Sequence, residues 1–401
     1  MNPFFPLRKE QEITIIQYLQ LCHEGVLLPG ETKSFFSPKM SIILPLYNDS
    51  QYFTMAIRSA ENQTFRDVEI ICVDDGSTDN SDYLLKRFQS EDPRIKIIKN
   101  EKNRGSLYSR IYGSLNAKGD YILFLNAKDA FSHPNALLNI YNNATKYNVE
   151  LLHFQACGGV FDGVRTFGLP YLFFTFNPNN FNKKISQPEL RDNYFARQKH
   201  CTGSTFVFDK CYSKKLIKKI ADVIGKDTWE KNVSRTDDLI LCFAAMRNAD
   251  SFVMANEMAY WHWLDFEPNQ KKEKEDNHVG VIGDKINDQE KIKKKFEEVI
   301  LSKSKIFDMT ENDPQAGEVR MVMLRDLEKP EMAFLLNRIG LLDSLMELYR
   351  RMLNWSYSND DVKKSVTEGA KILLHYSDEL KNKYSEFYDD EKYEFKDKED
   401  K

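Results

Sequence analysis

No stretch of about 18 uninterrupted apolar residues occurs in this chain, so a membrane-spanning helix is not expected. The first residues, "MNPFFPLRKEQEITIIQYLQL", lack the basic start and unbroken apolar centre of a secretory signal. The chain is therefore expected to be cytoplasmic, and its Asn-x-Ser/Thr triplets, such as Asn62–Thr64 and Asn143–Thr145, to be chance. The six cysteines are scattered, with no CxxC pair and no metal-ligand spacing. That fits reduced, mostly buried thiols better than a disulfide framework. There is also no excess of one charge: 57 basic against 61 acidic residues leave a net −4. Nothing in that balance suggests bulk affinity for nucleic acid or an anionic membrane. No internal repeat is present.

What the chain does have is a globular composition, 41% hydrophobic with 27 Phe and 19 Tyr, and length enough for two or three domains. Residues 10–22 have the pattern of a short amphipathic helix, followed by a Pro- and Gly-punctuated loop. From Met40 onward, short β-rich runs alternate with helix-period segments: "MSIILPL", then 51–63, "VEIICVDD", then 81–89, "RIKIIKN", then 105–117, "DYILFLN", then 134–147, "VELLHFQA". Within 51–63, Phe53, Ala56, Ile57 and Ala60 share one helical face. The strands are almost continuously apolar, as in a parallel sheet covered on both faces. The fold expected is α/β, an open and mostly parallel sheet with helices on both faces and a helical C-terminal region.

The expected division is an N-terminal helix and loop at 1–38, an α/β domain at 39–265 with a variable insertion at 157–200, a charged linker at 266–290, a helical region at 291–384, and a charged tail at 385–401. After the insertion, structure is expected to resume with "STFVFDK", a helix near 211–222, a helix from about Asp237, and the aromatic strand "EMAYWHWLD".

Open α/β sheets bind ligands beyond the carboxyl ends of their strands. Strand one runs into Pro45–Asp49, strand two into "DDGSTDNSD", and strand four into "NAKD"; "NRGSLYSR" opens the helix between. Taken singly, "DDGST" is most simply a strand-to-helix turn. It cannot be a calcium loop of the EF-hand kind, because no glycine sits at the sixth position. Several such loops converging on one sheet edge are harder to explain as turns alone.

The ordered set PxYN, NQT, VDDGSTD, NxGxxxxR and KGxYIxFL, from Met40 to His153, closely resembles the family 2 glycosyltransferases of GT-A fold. The resemblance continues more weakly to about residue 264 and does not touch the first 38 residues or the C-terminal helices. It implies transfer of a sugar from a nucleotide-diphosphate donor, UDP-sugar favoured, to an acceptor hydroxyl with inversion. Pro45 and Tyr47 would shape the base slot, Asp74 and Asp75 would bind base and ribose, and Arg110 would lie near the base or phosphates. The general base would come from the acidic pair in "RTDDLILCFAAM", with Asp238 preferred over Asp237; either is also explained as an acid at a helix start.

One motif departs from the family. Its Asp-rich end of strand four, which holds Mn²⁺ or Mg²⁺, falls here on Asn126, Lys128 and Asp129. An ammonium cannot ligate a cation, and at ~4 Å in a dielectric near 20 each unit charge counts for about 4 kcal/mol. Metal binding is thereby in doubt, and three readings stand. The enzyme is metal-independent, with Lys128 offsetting the diphosphate; or Asp129 and His262 hold a metal in a shifted arrangement; or catalysis is lost and the domain binds a nucleotide sugar or glycan, or acts as a scaffold. An α/β interaction protein without a ligand is a further class, which leaves the converging loops unexplained. The acceptor, a glycan, protein or lipid, is not specified by any motif. The C-terminal helices could serve protein contacts, though their apolar stripe is most simply core.

Overall fold

The computed structural model describes residues 9–28, 37–161, 166–167, 181–190, 206–263, 289–311, 330–354 and 360–388. Most of the 157–200 insertion, nearly all of the 266–290 linker and most of the 385–401 tail lie outside the described residues. The chain divides into two compact units, Met1–Pro268 and Asn269–Lys401.

In the first unit the apolar runs from Met40 to Phe124 form one end of a mixed sheet. Strands β1 (Met40–Leu46), β2 (Val68–Asp74), β3 (Ile95–Lys99) and β4 (Tyr121–Phe124) lie parallel in the order β3-β2-β1-β4. They are joined by α2 (Phe53–Glu61), α3 (Ser81–Glu91) and α4 (Ser106–Leu115). Every residue of β2 is buried, and Phe53, Ala56, Ile57 and Ala60 of α2 close over the same core as Ile42, Leu44 and Ile70. Gly113 of α4 permits close approach, since a Cβ there would lie 2.8 Å from Ile43 and 2.9 Å from Val73.

The sheet continues through β9 (Lys210–Ser213), antiparallel to both β4 and β6 (Leu151–Phe161), and then β10 (Ser251–Trp263), parallel to β6. The short β5 (Ala130–Phe131) pairs antiparallel with β10 through Tyr260 and Trp261. Thus β1, β2, β4, β6 and β10 all run toward one edge. The helix α5 (Ala136–Tyr147) leads into β6 and packs on β10. Two smaller strands, β7 (Thr166–Phe167) and β8 (Lys184–Ser186), extend β6 and β10.

The helix expected near 211–222 begins later. Cys211 and Tyr212 belong to β9, buried between β4 and β6, and Ser213 caps α6 (Lys214–Ile224) by accepting from the Leu216 N–H at 3.1 Å. The helices α7 (Lys226–Trp229) and α8 (Asp237–Asn248) follow. The strand expected at "EMAYWHWLD" starts earlier, at Ser251.

The N-terminal helix α1 (Lys9–His23) belongs to this unit: Ile15, Tyr18, Leu19 and Cys22 pack with Met55, Ala130, Cys157 and Trp261. The Tyr18 hydroxyl donates to the Ser59 carbonyl at 2.8 Å. The five cysteines among the described residues are buried free thiols. Burial pushes Cys22 up to about 11, and Cys157 and Cys242 to about 12.

The second unit is helical. Its core gathers Phe296 and Phe307 of α9 (Gln289–Met309), Leu336 of α10 (Pro330–Arg338), Leu345 and Tyr349 of α11 (Leu342–Asn354), and Val366 and Leu373 of α12 (Asp360–Leu374). After α13 (Asp378–Lys383) a single turn, Ser385–Phe387, buries Phe387, so the segment expected as tail starts with packed residues. No helix among the described residues is long and apolar enough to cross a membrane.

Candidate functional site

The loops after β1 and β2 are stitched to one another. Asn48, with φ of 56°, donates its N–H to Ser77 Oγ at 3.0 Å and accepts from the Thr78 N–H at 2.8 Å. The Ser50 N–H donates to Asp79 at 3.0 Å. Burial opposes ionisation of Asp79, but hydrogen bonds from Ser81 and Ser50 prevail and hold its carboxyl down at about 2. Pro45 stands opposite Val73 in the β1–β2 ladder, and the following Tyr47 is 45% exposed at the sheet edge.

Below these loops lie the two aspartates of "VDDGS". Asp74 is fully buried; one oxygen accepts from the Ser77 N–H at 2.9 Å, and the other, Oδ2, has no hydrogen-bond partner. Asp75 accepts from Asn100 Nδ2 at 2.7 Å and from the backbone N–H groups of Arg104 and Gly105 at 2.9 and 2.8 Å. It therefore orders the loop that opens α4. At Gly105, φ is +89° and a Cβ would meet the Val233 backbone at 2.7 Å. Only glycine allows that loop to lie against the segment that leads into α8.

This approach brings α4 to the start of α8. Arg110 is buried and holds three residues with its guanidinium. Nη1 pairs with Asp237 and with Asp238 Oδ1, the latter at 3.0 Å, and Nη2 donates to Asn126 Oδ1 at 2.8 Å. Asp237 also accepts from Ser106 Oγ at 2.7 Å. The two acids differ in access: the Asp237 side chain is 5% exposed and that of Asp238 26%. Asp237 is thus the anchor, and Asp238 presents a carboxylate to solvent.

Beyond Asn126 is the corner between the β4 loop and the end of β10. Asp129, buried, accepts from Asn126 Nδ2 and the Tyr260 hydroxyl, both at 2.8 Å, and from the Trp263 N–H at 2.9 Å. His262 Nδ1 lies 3.0 Å from the same carboxylate, and its ring stacks on Phe208 at 4.9 Å. The Tyr260 hydroxyl accepts from the Asn126 N–H at 3.1 Å, and burial raises its pKa well above the usual phenol range. Lys128, in the same loop, has its Nζ 4.5 Å from the centre of the Tyr52 ring. There it draws Asp49 toward ionisation, while burial, the larger effect, raises that carboxyl. Among the described residues no group of three or more His, Cys, Asp or Glu could hold a metal ion.

The structure gathers Arg110, Asn126, Asp129, Asp237, Asp238 and His262 into one connected network. Pro45, Tyr47, Asp74 and Asp75 sit at the neighbouring β1 and β2 ends, and Lys128 stands between the two groups. Sequence reasoning missed Tyr260, Tyr52 and Asn48. For Tyr260 a signal existed: the two-residue period of "YWHW" puts it on the same face as His262.

Residues 41–216 match the protein-family model described as glycosyl transferase family 2. This segment is a family 2 glycosyltransferase domain. The domain is 39% identical over 92 residues to an uncharacterized glycosyltransferase of Haemophilus influenzae, a match covering 23% of this chain and 37% of that protein. It is 29% identical over 116 residues to glycosyltransferase GlyG of Streptococcus pneumoniae, covering 29% and 38%. The chain thus matches well under half the length of these curated relatives. Residues 1–349 of TarS from S. aureus, solved in complex with UDP, superpose with a TM-score of 0.53 at 14% identity, over 87% of this chain and 91% of that one. The fold of the domain is therefore GT-A.

Proposed function

We propose that this chain transfers a sugar from a nucleotide diphosphate, UDP-sugar favoured, to an acceptor hydroxyl with inversion at the anomeric carbon. The observation that carries the proposal is the Arg110 junction, where the strand-end loops meet an acidic pair of unequal exposure. A sugar hydroxyl is a poor nucleophile until its proton is accepted as it attacks. Asp238 is the accepting group in this reading: Arg110 occupies Oδ1, and no protein donor reaches Oδ2 among the described residues. The acceptor oxygen bonds to the anomeric carbon, the bond to the diphosphate breaks, and the nucleotide departs with that electron pair. Asp237 fixes the guanidinium, and with it the orientation of Asp238.

Tyr47 and Pro45 flank the base, and Asp74 and Asp75 form the floor of its slot. The UDP in the TarS complex supports uridine as the nucleoside. Lys128 supplies positive charge toward the diphosphate from the Tyr52 side of the loop. A second reading, nucleotide-sugar binding without turnover, is favoured by the pairing of Asp238 with Arg110. The two are separated by donor hydrolysis or transfer measured on wild type and Asp238→Asn. A rate lost in the variant supports the transferase, whereas equal background rates indicate a silent domain.

A further inference from the structure

The geometry points to Asn126 as the group that stands where a divalent cation would otherwise link the two halves of this site, closing the corner to Mn²⁺ and Mg²⁺. The carboxamide has a single workable orientation. Its oxygen faces Arg110, which can only donate, and its nitrogen faces Asp129, which accepts. Turning the amide over would set N–H against N–H and oxygen against oxygen, losing both bonds.

The result is a continuous chain of polar contacts, Asp238–Arg110–Asn126–Asp129–His262, across the site. A cation bridging such a site would have to take lone pairs from Asp129. A carboxylate offers about four acceptor positions, and here Asn126, Tyr260, His262 and Trp263 all converge on them in a buried setting. The neighbouring positions offer an amide and an ammonium, whereas hard divalent cations require several oxygen ligands. The residues therefore do not fit a bound divalent ion.

The amide is decisive because aspartate has nearly the same shape. A carboxylate at position 126 would keep the bond to Arg110 but turn an oxygen toward Asp129. Two carboxylates at hydrogen-bond distance cannot both stay ionised unless a cation lies between them. Asn126→Asp should then take up Mn²⁺, with His262 as a further ligand, and Asn126→Ala should not.

The test is titration of Mn²⁺ into the full chain, without nucleotide, followed by the magnetic-resonance signal of the free ion. The expected result is at least an about tenfold gain in affinity for Asn126→Asp, abolished by adding His262→Ala. Wild type and Asn126→Ala should show no uptake that depends on His262. No gain in a folded Asn126→Asp variant would overturn the inference. So would Mn²⁺ uptake by wild type that His262→Ala removes, an arm that stands even if Asn126→Asp fails to fold. The inference rests on the donor-binding reading only for its consequence, metal-independent nucleotide binding. Because Mn²⁺ uptake is read without nucleotide, failure of one is distinguishable from failure of the other.

Discussion

Arg110 and Asp238 meet at 3.0 Å although they lie on different helices, α4 and α8, far apart in the chain. The contact exists because Gly105 lets the loop before α4 press against Val233, just ahead of α8. The geometry of this junction is therefore set by a close backbone approach outside the Arg110–Asp238 pair itself.

Exchanging the acids should produce opposite results. Asp238→Asn is expected to keep the fold and bind UDP within about twofold of wild type, while transfer falls by at least about 100-fold, as for loss of a general base. Asp237→Asn should instead lower stability, because it removes a carboxylate from a buried guanidinium that Asp238 and Asn126 cannot fully satisfy. Chemical denaturation of both variants, beside their rates, checks the division of roles.

Arg110→Met would leave two carboxylates facing each other without their common partner. Removing one member of a buried ion pair costs about 3–5 kcal/mol, and a loss at the lower end is expected because Asp238 retains some exposure. Urea denaturation measures it. A loss under about 1 kcal/mol would mean that the junction is not structural.

Lys128→Met should weaken UDP binding about tenfold, or roughly 1.4 kcal/mol, because the diphosphate loses a nearby cation. Calorimetry at two salt concentrations checks this, since an ionic contribution shrinks as salt rises. An unchanged affinity would assign Lys128 to contacts within the protein, the Tyr52 ring among them.

The pH dependence of stability has one distinctive contributor. Burial raises Glu61 to about 7, against the opposing pull of Arg58. A folded-state pKa above the unfolded one means that the folded chain binds the extra proton. The contribution is fully present below the ordinary glutamate range and is lost as pH rises toward 7. Glu61→Gln should flatten the slope of stability between about pH 4.5 and 7, measured by thermal melts across that window.

How much of this was legible in the residues depended on locality. The strands β1, β2 and β4 stand out because Ile42, Ile43, Ile70 and Leu123 are buried on both faces, which leaves continuous apolar runs. Asp74, Asp75 and Asn126 could be expected at one edge because parallel strands end on the same side, whereas the place of Arg110, inside α4, came from the family resemblance. "KCYS" did not read as a strand, because its conformation comes from insertion between β4 and β6. The period of "YWHW" sets Tyr260 on the face of His262, but its bond to Asp129 depends on the pairing of β10 with β5. The N-terminal helix was visible as a helix, but its packing on Met55 and Trp261 depends on distant segments. The placement of Lys128 over Tyr52 was not legible, because it follows from the course of the β4 loop.

The central claim is a nucleotide-sugar site whose donor is held without a divalent cation. Calorimetric titration of UDP into the full chain, with Mn²⁺ and with chelator, tests it most directly. The account predicts saturable binding of equal affinity in both. No binding of UDP, or binding that appears only with Mn²⁺, would contradict it.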